Sequence, residues 1–167
     1  MLFQGLELSK ILSYLVALLI AIPIHEFAHA WSAWRLGDPT AQRLGRLTLN
    51  PAAHLDPLGT ILLLTAGFGW GRPVPVDPRY MRVSPLAGMA LTSAAGPISN
   101  LLLAALFFIP FRLHLFPRSM YFDSPWVPSL PGIVSAIVIM NTALAFFNLI
   151  PLPPLDGFKI VLGVVPK

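Results

Sequence analysis

Three stretches of this chain are apolar over lengths that water-soluble helices seldom reach. Residues 11–36 form the first, and between Lys10 and Arg35 its one formally charged residue is Glu26. Twenty-six helical residues rise about 39 Å at 1.5 Å each, enough to cross a bilayer with some tilt. Residues 83–111 carry no charged side chain and make a second span. Residues 124–155 are also free of charge and hold a third, placed at roughly 130–150 by the ~20-residue length a span needs. Pro23 lies inside the first span and predicts a kink just before His25. Gly37-Asp38-Pro39 marks that helix's end. In the second, Ser93-Ala94-Ala95-Gly96 offers small side chains that let helices approach closely.

The connection between the first two spans reads differently. Residues 38–56 are polar and basic, with Arg43 and Arg46. Arg46-Leu47-Thr48-Leu49-Asn50 alternates polar and apolar, which predicts a short strand, and Asn50-Pro51 begins a turn. Leu58 to Phe68 is apolar but too short to span, and Gly59, Gly67, Gly69 and Gly71 weaken a helix there. Pro73-Val74-Pro75-Val76 is extended by the proline rules and could only be an edge strand. Residues 112–128 form a polar loop with Arg112, Arg118 and Asp123. The expected fold is all-α: a three-helix transmembrane core with short re-entrant or interfacial extended segments between the first and second spans.

Composition agrees. Of 167 residues, 56% are hydrophobic and 11% charged, and the mean hydropathy is +0.74. That describes an integral membrane protein. The net charge of +4 sits in the connections, so it reads as membrane orientation and not as a nucleic-acid surface. No cysteine is present, so disulfides are excluded and a metal would need nitrogen and oxygen ligands. The first apolar run is too long for a cleavable leader. A single domain over 1–167 is expected.

The first span also carries His25-Glu26-Phe27-Ala28-His29. Residues four apart share a helix face, so both imidazoles can meet one metal ion, with Glu26 beside them to act on a water. Charged side chains at membrane depth cost about 2.5–3.5 kcal/mol each on insertion scales and mark function. A catalytic zinc takes three protein ligands. The candidates for the third are His54, His114, Glu7, Asp38, Asp56, Asp77, Asp123 and Asp156. Asp156 is the best of them, because it follows an apolar span broken by Pro151, Pro153 and Pro154. Irregular backbone at that depth must line protein or a wet cavity, where a carboxylate wants a cation. The same Asp156 could also start a helix at Gly157.

His25-Glu26-x-x-His29 together with Asn148-x-x-Pro151-x-Pro153-x-x-Asp156-Gly157 resembles the site-2 protease family of intramembrane zinc metalloproteases. Gly96-Pro97-x-x-Asn100 is similar to that family's signature on the intervening helix. The stretch Leu47–Gly59, with Asn50-Pro51 and His54-x-Asp56-Pro57, is similar to its compact bacterial branch. The resemblance covers about residues 20–160. It implies a Zn2+ held by His25, His29 and Asp156. It also implies that further helices follow the Asp-Gly motif in such proteins. Residues 157–166 are too short to span, so this chain is expected to lack them.

On that reading Glu26 is the general base, and Asn148 is the candidate donor to the oxyanion. Asn148 and Asn100 could equally serve as interhelical hydrogen-bond partners, the more fitting role for Asn100. His54 is left open between a site role and an ordinary loop histidine. The substrate would be a transmembrane protein or peptide in the lipid bilayer, locally unwound. The segments 47–49 and 73–76 could pair with it as an added strand. A membrane metal-binding or transport protein, a lipid-processing metalloenzyme and an inactive protease-like scaffold are the alternatives. Arg35, Arg43 and Arg46 place the end of the first span in the cytoplasm. The active site is then cytoplasmic, provided that 37–82 does not cross the membrane. Oligomeric state is not encoded in any motif found.

Overall fold

The computed structural model describes residues 7–66, 71–122 and 124–164. Among these, the chain forms seven α-helices and no strand. Three are long and apolar enough to cross a membrane: α1 (Leu8–Leu36), α5 (Pro85–Arg112) and α6 (Leu130–Asn148). Short helices α2 (Thr40–Arg43), α3 (Pro51–His54) and α4 (Pro57–Ala66) lie between α1 and α5, and α7 (Asp156–Val164) closes the described chain.

The long helices begin and end on local signals. Gly37 stops α1 in the left-handed conformation, φ 112°, and its N–H returns to the carbonyls of Ala33 and Trp34. Ser84 caps α5 by accepting the Ala87 N–H, with Pro85 in the first turn. Ser129 does the same for α6 through the Gly132 N–H, with Pro131 in the first turn. Helix α1 continues through Pro23, whose missing N–H leaves the Leu19 carbonyl without its usual donor.

The interior is built from small and polar residues. Ala17, Ala21, Ala30 and Ala33 of α1 and Ala145 of α6 are fully buried, as are Asn100 and Asn141. Large apolar side chains face outward instead, including Leu102, Leu106, Ile139 and Phe146. With lipid as the solvent, apolar burial drives little helix association. Close approach through alanine and glycine and buried hydrogen bonds take over. At Gly163 of α7 an added Cβ would sit 2.7 Å from the Leu86 carbonyl oxygen, so only glycine lets α7 lie against α5.

The connection between α1 and α5 leaves and returns at one end of the bundle. The Arg82 N–H donates to the Leu36 carbonyl (2.8 Å), and the Asp77 N–H to Asp38 Oδ2 (2.7 Å). Between these points the chain reaches deep into the helices. Gly71 pairs with Leu55 in an isolated antiparallel bridge and lies against Ile22, midway along α1. This is the expected re-entrant path.

Its details correct three expectations. Arg46–Asn50 is not a strand, because its polar groups are spent locally. The Arg46 N–H closes onto the Ala41 carbonyl, the Thr48 carbonyl takes the His54 imidazole, and the Asn50 side chain caps α3. Pro73–Val76 is extended but unpaired, since prolines have no N–H and the Val74 N–H is given to a side chain. Residues 57–66 do form a helix despite Gly59, whose N–H is taken by Asp56 Oδ1 at 2.9 Å. The remainder of the expected 58–68 segment, together with Gly69, lies outside the described residues.

Candidate active site

Helix α1 presents His25 and His29 one turn apart on its buried face. The chain leaving α6 folds back so that Gly157 meets the carbonyls of Leu149 and Ile150, where a Cβ has no room. That fold sets Asp156, at the start of α7, against both imidazoles. Asp156 Oδ2 lies 3.2 Å from His25 Nε2 and 3.2 Å from His29 Nε2, and the two nitrogens are 3.0 Å apart. All three residues are buried.

Hydrogen bonds behind the histidines decide which nitrogens are bare. The Ile137 carbonyl can only accept, so Asn141 Nδ2 donates to it (2.8 Å). Asn141 Oδ1 then accepts from Asn100 Nδ2 (2.7 Å), which leaves Asn100 Oδ1 to accept the His25 Nδ1–H (2.5 Å). His29 Nδ1–H donates to the Thr92 carbonyl at 2.7 Å. Both Nε2 atoms therefore carry lone pairs, and they converge with a carboxylate oxygen. Three acceptors with no proton between them call for a cation. Their spacing of 3.0–3.2 Å is close to the edge, about 3.3 Å, of a tetrahedron with zinc bonds near 2.0 Å. The group can hold Zn2+. Gly96 of α5 makes the space: a Cβ there would fall 2.5 Å from His29 Nε2 and 2.6 Å from His25 Cε1.

Glu26 is held from the other side. Its Oε2 accepts the Val74 N–H at 3.1 Å. The extended segment carrying Val74 is fixed in turn by the buried Arg46, whose guanidinium donates to the carbonyls of Arg72 and Pro73. Burial lowers the Arg46 pKa from its ordinary value, yet a guanidinium stays charged. Further along, hydrogen bonds from the exposed Arg79 hold the half-buried Asp77 carboxyl below the usual range.

A cavity of about 510 Å³ opens onto these groups and is lined by His25, Glu26, His29, Asn148, Asp156 and Lys159, among others. Asn148 reaches it, with one amide hydrogen donated to the Leu144 carbonyl at 3.0 Å. His54 does not line the cavity. It is fully buried, donates from Nε2 to the Thr48 carbonyl (2.7 Å) and accepts the Arg72 N–H on its carbonyl. Asp38 is likewise structural, accepting from Thr40 and Asp77. Asp123 lies outside the described residues. Sequence reasoning passed over Asn141, Lys159 and Arg46 as parts of the site. Asn141 carried a readable signal, an amide two helical turns before Asn148 in a charge-free span. The Thr92 carbonyl and Val74 N–H are backbone groups and leave none.

A bundle of three membrane-spanning helices with a zinc-fitting His-His-Asp group beside a glutamate is the frame of a membrane metalloprotease, and the comparisons agree. The Bacillus subtilis protein named "Putative zinc metalloprotease YwhC" is 47% identical over 159 residues, which are 94% of this chain and 71% of the relative. "Putative zinc metalloprotease Rip2" of Mycolicibacterium smegmatis is 36% identical over 146 residues, 84% of this chain and 52% of the relative. Rip2 of Mycobacterium tuberculosis is 35% identical over 143 residues. The chain thus spans about half the length of the mycobacterial relatives. No family model and no solved structure matches it. The chain belongs to the site-2 protease-like family of zinc metalloproteases, and it is a multi-pass membrane protein whose cofactor is Zn2+.

Proposed function

We propose that this protein is an intramembrane endopeptidase that hydrolyses peptide bonds in or near transmembrane segments of other membrane proteins. The observation that carries the reading is the convergence of two bare imidazole nitrogens and a carboxylate at the level of Gly96, inside a membrane helix bundle, with Glu26 facing the same cavity. His25, His29 and Asp156 hold the metal. Zn2+ supplies Lewis acidity, which polarises a carbonyl and makes a water acidic near neutral pH.

Glu26 accepts the proton of the attacking water and later delivers it to the leaving amine. Its bond to the Val74 N–H fixes one carboxylate oxygen and leaves the other for this transfer. Asn148 has a second amide hydrogen beyond the one given to Leu144, and that hydrogen serves the developing oxyanion. A substrate helix must unwind here, because its amides are otherwise bonded to themselves. The unpaired segment 73–76, with Val74 and Val76 on the cavity, offers an edge for the unwound chain. The metal-transport alternative has less support, since no inverted repeat accompanies the site.

The test is incubation of the purified protein in vesicles with a model transmembrane peptide, with and without a zinc chelator. Chelator-sensitive cleavage is expected, and restored metal should restore it. Zinc bound with no cleavage of any membrane peptide would overturn the reading.

The site also faces the cytoplasm. Arg35, Arg43 and Arg46 cluster where α1 ends, and the 37–84 connection starts and finishes there. Single cysteines at Thr40, Asp77 and Ser119, labelled on intact cells with an impermeant thiol reagent, should react at Ser119 alone. Labelling at Thr40 and Asp77 would invert the orientation.

A further inference from the structure

Lys159 sits one helical turn beyond Asp156 on α7 and lines the same cavity. The ion pairs among the described residues are Lys10 with Glu7, Arg79 with Asp77, and Asp156 with the two histidines, so the Lys159 ammonium has no anion. Nor does it make a side-chain hydrogen bond to any described residue. The other charged groups on the cavity are Glu26 and Asp156. With a divalent ion in place, these two carboxylates neutralise it and the Lys159 charge is left over. Val74, Val76, Met89 and Leu155 share the wall with Thr92, Ser93 and Asn148. The Lys159 side chain is half-buried there, and its charge is stabilised when an anion arrives from outside. Its position is also directional. Helix α7 rises from the level of Gly96 at its Asp156 end to the level of Leu86 at Gly163, toward the end of α5 where the re-entrant connection finishes.

We infer that Lys159 is a specificity determinant which recognises a carboxylate side chain, Asp or Glu, of the substrate next to its scissile bond. The inference rests on the proteolytic reading above and narrows it: the preferred substrate is a transmembrane segment with an acidic residue near the cleavage point. No bond is made or broken by Lys159. It pairs with the acidic side chain and fixes the register in which the unwound chain meets Glu26 and the metal group.

The test uses two transmembrane peptides that are identical except for Asp or Asn beside the cleavage point, as mapped by mass spectrometry. The zinc-loaded protein is reconstituted in phosphatidylcholine vesicles. Binding is measured on the Glu26→Gln variant and cleavage on the protein with Glu26 intact. The Asp peptide should bind and be cleaved about 10-fold better, the size expected of a charge-assisted hydrogen bond. Lys159→Met should erase the preference by weakening the Asp peptide only, with zinc content and melting temperature unchanged. Lys159→Glu should turn the preference toward a Lys peptide. Equal binding of both peptides, or an equal loss for both in Lys159→Met, would overturn the inference. So would binding of anionic phosphatidylglycerol that Lys159→Met abolishes, with both peptides bound equally, which would make a lipid headgroup the partner. Failure of the wild type to cleave either peptide while the binding preference holds would instead strike the proteolytic reading and leave the recognition intact.

Discussion

The metal group and Glu26 are neighbours in sequence, yet they are held by opposite means. His25 and His29 are backed by groups that belong to membrane helices: Asn100 and Asn141, fully buried, and the Thr92 carbonyl of α5. Every one of those bonds lies inside the bundle. Glu26 is instead held by a backbone N–H of an irregular segment, which is itself tied down by Arg46 and Asp38. The helices provide a fixed metal position, because moving either imidazole breaks buried hydrogen bonds to the neighbouring helix. The re-entrant connection provides the surroundings of the base and one wall of the cavity. The metal group can therefore stay rigid while the wall that meets a substrate is held by fewer and more accessible bonds.

Substitutions in the two regions should separate along that line. The largest effect is expected from Asp156→Ala, which removes one of three ligands. Metal analysis should show zinc lost, whereas Asp38→Ala should keep it, since Asp38 bonds only to backbone and Thr40. Equal zinc in both variants would mean that the wrong carboxylate is assigned. Asn141→Leu leaves the ligands in place but frees Asn100, and with it the His25 ring. Zinc affinity should fall about 10–100-fold, as for other groups that orient metal ligands, with cleavage recovering at saturating zinc. Unchanged affinity would show that the buried amide chain holds helices together and does not orient the metal group. Arg46→Met should give the reverse pattern. Zinc affinity should be that of the wild type, while kcat/KM drops about 10-fold as the segment carrying Val74 loosens from Glu26, the loss expected when a charge-assisted hydrogen bond goes. A zinc defect in Arg46→Met would dissolve the distinction between the two regions.

The sequence disclosed these regions unequally, for a physical reason. Lipid demands about twenty apolar residues per span, so all three long helices stood out to within a few positions. His25 and His29 are linked by helical spacing alone, and Asp156 was conspicuous as a carboxylate after a proline-broken apolar run. The structure does gather those three. Gly96 was legible as a small residue, though what approaches it is a pair of imidazoles and not only a helix. The re-entrant connection was harder because its bonds join distant residues, Asp38 to Asp77 and Arg46 to Arg72. Alternation at 46–50 suggested a strand, yet no described residue pairs with it as one. His54 drew attention by its chemistry, yet it acts as a buried pin between Thr48 and Arg72. Lys159 belongs to no motif of the sequence, and only the fold places it on the cavity.

The central claim is that Glu26 moves protons while His25, His29 and Asp156 hold the metal, and one variant tests it most directly. Glu26→Gln keeps the shape of the side chain and its acceptor oxygen for the Val74 N–H, but cannot take a proton from water. Zinc content and cleavage of a transmembrane peptide should be measured on the same purified, reconstituted sample. The account predicts zinc at the wild-type level and no detectable hydrolysis. Substantial hydrolysis by that variant, or loss of its zinc, would contradict the account.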